Sequence, residues 1–568
     1  MRSLFLRSLS IAALICAAPV CFASVVSAPA PVTARHAMVA TAQHLATEAG
    51  VKVLREGGNA VDAAVAIGYT LAVVQPCCGN LGGGGFMTIH LAKGKNLFLN
   101  FRERAPFAAT AGMYLKANGK VNHRESLDSF KAIGVPGTVM GLDAALARYG
   151  TMSRAEAMAP AIRLAGKGYT IAPGDAQIFA AGGKKLARHP VAYKQFAIAG
   201  HMPRAGERLR QPVLAQTLKR IAAEGNKVFY DGPIAKAIVK ASEKHGGLFT
   251  MKDFQKYRVE WLKPIVCTYR GYTIVSAPPP SSGGVTLCEM LNILSGWKKF
   301  PGYAFHSVGS VHDLVEAMRF AYADRNTDLG DPDFVHNPVK KLLSAKHAAE
   351  IRARIPADLA VPSVKVHGGR VTPEGLHTTD YSVVDAKGNA VGVTYTLNSW
   401  FGSGFEAPGT GFLLNNEMND FTSKPGVPNQ FGLVQGTANA IAGGKRPLSS
   451  MAPTIVLKGG RVFMVTGSPG GSTIITTVLQ TIINVVDRGM NVAQAVDAPR
   501  IHQQWLPDVV YLEPDALSSK VKAALEKMGY RFKTRGHWGA AEAIVVRPDG
   551  VRTGASDQRR SAGSAAGY

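Results

Sequence analysis

Two threonines stand where an acyl-transfer reaction could use them. Thr378 opens the run TTDYSVVD (378–385), and Thr396 sits in TYTLN (394–398). A threonine hydroxyl is a weak nucleophile unless a nearby base takes its proton. Other polar clusters interrupt apolar surroundings. They are Phe101-Arg102-Glu103-Arg104, the stretch from Asn415 to Asp420 (NNEMND), Ser449-Ser450 in KRPLSSMAPT, and Gly470-Gly471 in TGSPGGS. A Gly-Gly pair at a helix start offers free backbone N–H groups to an anion or a developing oxyanion. Taken singly, each cluster is as well explained by an N-cap serine or a loop aspartate. Other chemistries are excluded by pattern: the chain has no G-x-S-x-G, no H-E-x-x-H and no P-loop. The glycine run 82–85 precedes a strand and not a helix, so it reads as a tight backbone bend and not as a phosphate cradle.

The elements around these residues follow from periodicity. Residues 378–385 alternate as a strand, Lys387-Gly388-Asn389 signals a turn, and 390–397 form a second strand. The two should pair antiparallel. A three-residue loop at 386–388 sets Thr378 opposite Thr396, and a two-residue loop at 387–388 sets it opposite Leu397. Either register brings the two threonines onto neighbouring positions of one hairpin, where opposed residues share a face. Threonine is also simply a good strand former. Upstream, 59–74 reads as a helix capped by Asn59, followed by strands at 86–91 and 96–101. Helices dominate 136–241, with two more at 314–323 and 346–355. Residues 278–284 (PPPSSGG) form a rigid turn. A strong helix spans 473–486 behind the Gly-Gly pair. The stretch 355–377 lacks periodicity and reads as an exposed segment.

Together the clusters resemble the γ-glutamyltranspeptidase family. The matching stretches include GGNAVDAAVA (57–66), GNLGGGGFM (79–87), FRERAP (101–106), TTDYSVVD, LLNNEMNDF (413–421), KRPLSSMAPT, TGSPGGS and the terminal GASD (554–557). The resemblance implies an α+β fold, the four-layer αββα sandwich of the N-terminal-nucleophile hydrolases. It implies one precursor that cleaves itself at His377–Thr378 into a large subunit, 24–377, and a small catalytic subunit, 378–568. The new N-terminal Thr378 then carries nucleophile and base on one residue, since an α-amino group titrates at roughly pH 8. By the same resemblance Thr396 orients the nucleophile, and Gly470 and Gly471 form the oxyanion hole. Arg102, Ser449 and Ser450 clamp a substrate α-carboxylate, for which arginine is suited. Asp420, Glu417 and Asn398 hold the α-ammonium. The donors implied are γ-glutamyl compounds such as glutathione, with water or an amino acid or dipeptide as acceptor and with no cofactor or metal. Residues 425–436 resemble a lid loop, with Phe431 where several relatives carry tyrosine. Position 417 is glutamate where some relatives have glutamine. Two rivals stand beside this reading. One is an acylase of the same superfamily acting on glutaryl or cephalosporin side chains. The other is a non-catalytic binding protein on the same fold.

Composition agrees with a secreted globular chain. A basic start, an apolar run at 9–22 and small residues after it read as a signal peptide ending at 23, or as late as 28. The expected compartment is periplasmic or extracellular. The run is too short for a stable membrane span. The net charge of +25 is dispersed, which argues against a nucleic-acid partner and favours anionic small molecules. Of the four cysteines beyond the leader, Cys267 and Cys288 are the one local candidate for a bridge. Adjacent Cys77 and Cys78 are expected to stay unbridged and to pack as neutral side chains.

Overall fold

Two seven-stranded antiparallel sheets lie face to face between helices in the computed structural model, which describes residues 28–366 and 378–568. The leader, residues 1–23, and the cleavage-site residue His377 lie outside the described residues. One sheet runs in the order Ser564–Gly567, Met38–Thr41, Thr379–Val384, Ala390–Thr396, Gly84–Leu91, Lys95–Phe101, Glu260–Leu262. The other runs Val32–Ala34, Arg552–Ser556, Glu542–Val546, Arg461–Gly467, Thr454–Lys458, Tyr272–Ser276, Ile265–Tyr269. A small apolar cluster that includes Met38, Val384, Ile455 and Val465 seals the two inner faces. The outer face of the first sheet packs on helices that include Ala60–Val74, whose every residue is buried. The outer face of the second packs on Gly283–Gly296, Val308–Asp328 and Ile474–Val486. This is the expected αββα order.

The central hairpin takes the register of the three-residue reading. Thr379 pairs with Tyr395 and Val384 with Ala390, so the next position outward sets Thr378 opposite Thr396. The glycine run is a bend, as expected, and the reason is close backbone approach. A Cβ on Gly83 would lie 1.9 Å from the Thr396 carbonyl oxygen, and one on Gly82 would lie 2.0 Å from that of Leu413. Asn59 caps its helix with a full capping box through Asp62. The described part of the stretch after 355 is mostly exposed, as expected, with Val361 and Ser363 as buried anchors. Ser363 is buried, and its hydroxyl donates to the Trp505 carbonyl.

The cysteine reading needs correction. Cys267 and Cys288 are bridged, tying an outer strand to the helix Gly283–Gly296. Cys77 and Cys78 are bridged as well, against expectation. Adjacent cysteines usually stay apart because the ring constrains the peptide between them. Here that peptide is held from outside: Phe401 N–H donates to the Cys77 carbonyl and Leu397 N–H to that of Cys78. Both side chains are buried in the turn that ends helix Ala60–Val74.

Asp380 is a carboxyl buried between the sheets. It accepts from Thr394 Oγ1 at 2.5 Å and leans on Gly467 of the facing sheet. Burial pushes its pKa up to about 8, whereas the unfolded chain titrates near the ordinary value of roughly 4. Below about pH 4 both states keep the proton. Between about pH 4 and 8 only the folded state keeps it, so stability falls as pH rises across that window. Asp380→Asn should remove this loss. Thermal denaturation should show the variant gaining on the native protein from pH 5 to pH 8. A gap that stays constant with pH would show that Asp380 is not the group responsible.

Candidate active site

The site gathers where the central hairpin, the glycine bend and three loops meet. Thr378 and Thr396 line one small cavity of about 20 Å³ with Arg102, Asn398, Glu417, Asp420, Phe431, Ser449, Ser450 and Gly471. Ten residues singled out from the sequence thus converge on one place. Gly470 does not line this cavity. It lines a second cavity on the other side of the same loop.

The nucleophile candidate is positioned by its strand. Thr378 is buried just ahead of strand Thr379–Val384, and its carbonyl accepts from Arg560 Nη2 at 2.9 Å. Thr379 Oγ1 donates to Gln75 Oε1 at 2.6 Å, which fixes the next residue. Thr396 Oγ1 accepts the Asn398 N–H at 2.8 Å. Asn398 has φ of 73°, an uncommon left-handed backbone for a residue with a side chain. Its amide donates to the Asn416 carbonyl, which helps to hold that geometry.

Arg102 ends strand Lys95–Phe101 and is fully buried. Its Nε donates to the Pro447 carbonyl, its Nη2 lies 2.5 Å from Asp420 Oδ2, and its Nη1 pairs with Glu417. Glu103 lies 3.4 Å from the same nitrogen. Three carboxyls therefore crowd one guanidinium. Burial pushes Glu103 up to about 7 and raises Glu417 and Asp420 too, while attraction to Arg102 opposes the rise in each. Glu417 Oε2 and Asp420 Oδ1 are buried and receive no donor from the described residues. Such acceptors are costly to leave without a partner.

The serines are held by the PPPSSGG turn. Ser282 donates through both N–H and Oγ to the Ser449 carbonyl. Ser450 Oγ accepts from Arg325 Nη2 at 2.9 Å. Sequence reasoning missed Arg325. It sits in helix Val308–Asp328, lines the cavity, and burial pulls its pKa down to about 10. Nothing in the local sequence marks it, because only the fold turns that helix face toward Ser282 and Ser450.

Gly470 and Gly471 have φ of 141° and 56°, values that suit glycine. They precede helix Ile474–Val486, and neither N–H donates to another group among the described residues. The loop 425–436 closes over them. Gln430 N–H donates to Asn419, Ser399 Oγ donates to Gln430, and Gln504 holds the Phe431 carbonyl. Phe431 is buried against Gly471, where a Cβ would meet its ring at 2.3 Å.

A buried threonine leading into a central strand of an αββα sandwich, sharing a cavity with Gly471, is the arrangement of the N-terminal-nucleophile hydrolases. The family profile described as Gamma-glutamyltranspeptidase matches residues 46–568. A glutathione hydrolase proenzyme of Pseudomonas sp. (strain A14) is 50% identical over 550 residues, covering 95% of each chain. That of Escherichia coli K12 is 46% identical, covering 95% of this chain and 93% of its own. Among solved structures, a cephalosporin acylase from Bacillus halodurans superposes with a TM-score of 0.83 at 30% identity, covering 95% of this chain and 97% of its own. The chain belongs to the γ-glutamyltranspeptidase family.

The Phe431–Gly471 contact is testable by itself. Gly471→Ala should lower stability by an overpacking cost of about 1–3 kcal/mol and a left-handed backbone cost of about 1–2 kcal/mol. Phe431→Ala costs stability by itself, so the contact is read from a double-mutant cycle: Gly471→Ala should cost less, by about the overpacking share, in a Phe431→Ala background than in the native one. Equal costs in the two backgrounds would mean that the ring does not rest on Gly471.

Proposed function

We propose that the chain is a γ-glutamyltransferase and glutathione hydrolase in which Thr378 is the nucleophile. Cleavage of the His377–Thr378 bond yields subunits 24–377 and 378–568 and frees the Thr378 amine. That amine takes the hydroxyl proton as Oγ1 attacks the γ-carbonyl of the donor. The Gly470 and Gly471 N–H groups stabilise the oxyanion that forms. The amide bond between the γ-carbonyl carbon and nitrogen breaks, the proton passes to the departing amine, and a γ-glutamyl ester on Thr378 remains. Water resolves it in hydrolysis, and the amine of an amino acid or dipeptide resolves it in transfer. The precursor is directed to the periplasm or outside by residues 1–23. Among the described residues no helix is long and apolar enough to cross a membrane.

One observation carries the choice of donor. Glu417 Oε2 and Asp420 Oδ1 are buried acceptors at the wall of the Thr378 cavity and lack donors among the described residues. An α-ammonium supplies up to three N–H groups and a positive charge, which answers both needs. Arg102, Ser449 and Ser450 stand on the same wall to receive the α-carboxylate. A glutaryl side chain has no ammonium, so the acylase reading leaves these acceptors without partners.

Two experiments test this. Purified Thr378→Ala should remain one chain and hydrolyse no γ-glutamyl anilide. Cleavage at residue 377 in that variant would assign the cut to an external protease. The native enzyme should prefer a γ-glutamyl anilide to the matching glutaryl anilide. Asp420→Ala should cost at least about tenfold in kcat/KM on the first donor, given the usual cost of about 2–5 kcal/mol for a buried charge partner. It should leave the second donor nearly unchanged. Equal losses on both donors would remove Asp420 from ammonium recognition.

A further inference from the structure

Three helices bring one imidazole and two carboxyls together outside the Thr378 cavity. Glu289 lies on helix Gly283–Gly296, Asp324 on helix Val308–Asp328, and His347 on helix Ala345–Ala353. One ligand atom from each falls within 4.8 Å of the other two. His347 Nε2 lies 2.7 Å from Asp324 Oδ2 and 3.3 Å from Glu289 Oε1. None of the three residues lines the Thr378 cavity, and the acyl-transfer chemistry does not use them. Glu289 is 1% exposed, yet neither of its carboxyl oxygens has a hydrogen-bond partner among the described residues. Its only ion-pair partner among them is His347. That imidazole cannot serve both acids through Nε2. The nitrogen carries at most one hydrogen, and it sits closer to Asp324. A buried carboxylate without a donor is costly, and the cluster's donor set suits a cation.

The donor atoms decide the kind of cation. Cages built from oxygen alone suit calcium and magnesium, whereas an imidazole nitrogen beside carboxylates suits zinc and its transition-metal neighbours. Zinc bonds of about 2.0–2.2 Å in a tetrahedron put neighbouring ligand atoms about 3.3–3.6 Å apart. The His347–Glu289 separation of 3.3 Å already fits. The His347–Asp324 separation must open slightly, as the ion replaces the hydrogen between them. The side chains of His347 and Asp324 are 13% and 16% accessible, which gives an ion a way in and a water a place as fourth ligand. We propose that Glu289, Asp324 and His347 bind one zinc-type divalent cation. His347 ligates through Nε2, keeps its hydrogen on Nδ1 and releases any Nε2 hydrogen to solvent. The two carboxylates balance the charge of the ion. The ion takes no part in acyl transfer; it joins helices that hold the head-group serines. Helix Gly283–Gly296 begins after Ser282, which donates to the Ser449 carbonyl. Asp324 precedes Arg325, which donates to Ser450. Binding therefore braces the frame behind Ser449 and Ser450.

The test uses the purified, tag-free protein, stripped with a chelator and dialysed. Calorimetric titration with zinc chloride should show a single site per chain, and the bound zinc should survive desalting. Zinc should also raise the thermal midpoint, since a ligand of the folded state stabilises it. Magnesium or calcium at the same concentration should not. Glu289→Gln keeps the size of the buried side chain and removes its charge, and should weaken zinc binding by at least about tenfold. His347→Gln should do the same from a partly exposed position, where the substitution does not disturb the core. A native protein that takes up no stoichiometric zinc would overturn the proposal. Equal zinc affinity in the native and His347→Gln proteins would do so too, because the ion would then sit at another histidine. An equal response to magnesium would refute the assignment of the cation. None of these readouts is enzymatic, so the result is independent of whether γ-glutamyl anilides are hydrolysed.

Discussion

A backbone contact with no room for side chains sets the spacing of the strands and loop that carry Arg102, Thr396, Glu417 and Asp420. The bend at 82–85 presses four consecutive residues against four carbonyls. Gly82 meets Leu413, Gly83 meets Thr396, Gly84 meets Phe101, and Gly85 meets Thr394, and each added Cβ would lie within 2.5 Å of its carbonyl oxygen. Those neighbours lead directly into the functional segments. Phe101 precedes Arg102, Leu413 precedes the loop of Glu417 and Asp420, and Thr396 is the residue opposite Thr378. The Gly83 carbonyl in turn accepts from Gly137 and Thr138, and the Gly82 carbonyl from Asn415. Any larger residue would separate strands whose spacing is about 5 Å, and with them Arg102 from Glu417 and Asp420.

That packing has an electrostatic cost. Arg102, Glu103, Glu417 and Asp420 are all buried in one place, with Arg325 beside them. Removing charges from water costs several kcal/mol per ion unless partners replace it. Replacing such a cluster by apolar residues would often be the more stable choice, so stability alone does not account for it. In the proposed function the cluster is answered by a zwitterionic head group that adds one cation and one anion to it. The charged partners such a ligand needs are already assembled away from solvent, the condition under which charge recognition is strong, and a cavity of about 20 Å³ must widen to admit it.

The sequence made the hairpin legible because period-two alternation and a Lys-Gly-Asn turn leave only two registers, and both bring Thr378 near Thr396. It made the bend legible because four glycines before a strand serve close approach and little else. Individual roles were not legible in that way. Arg102, Asp420 and the serines came from ordered motifs matched to a family, and no local spacing distinguishes them from surface polar residues. Arg325 and Arg560 were missed for a related reason: each is one cation among 64 lysines and arginines, and only tertiary packing sets them apart. The Cys77–Cys78 bridge was missed because the restraint on it comes from Leu397 and Phe401, more than 300 positions away along the chain.

The same surroundings bear on why a bare α-amine can serve as the base. An amine near roughly pH 8 in water holds its proton at neutral pH and cannot accept another. Burial disfavours the charged ammonium, and a nearby guanidinium disfavours it further; both effects lower an amine's pKa. Thr378 is buried, and Arg560 donates to its own carbonyl. In the proposed mechanism these two features act on the amine that cleavage releases and shift it toward the neutral, proton-accepting form. The carboxyls that would oppose this shift, Glu417 and Asp420, are engaged with Arg102. In the same mechanism the ammonium of a bound donor takes up those carboxyls, so their negative charge stays neutralised through the reaction. Arg560 thereby acts on Thr378 through its backbone, donating to that carbonyl from the wall of the second cavity.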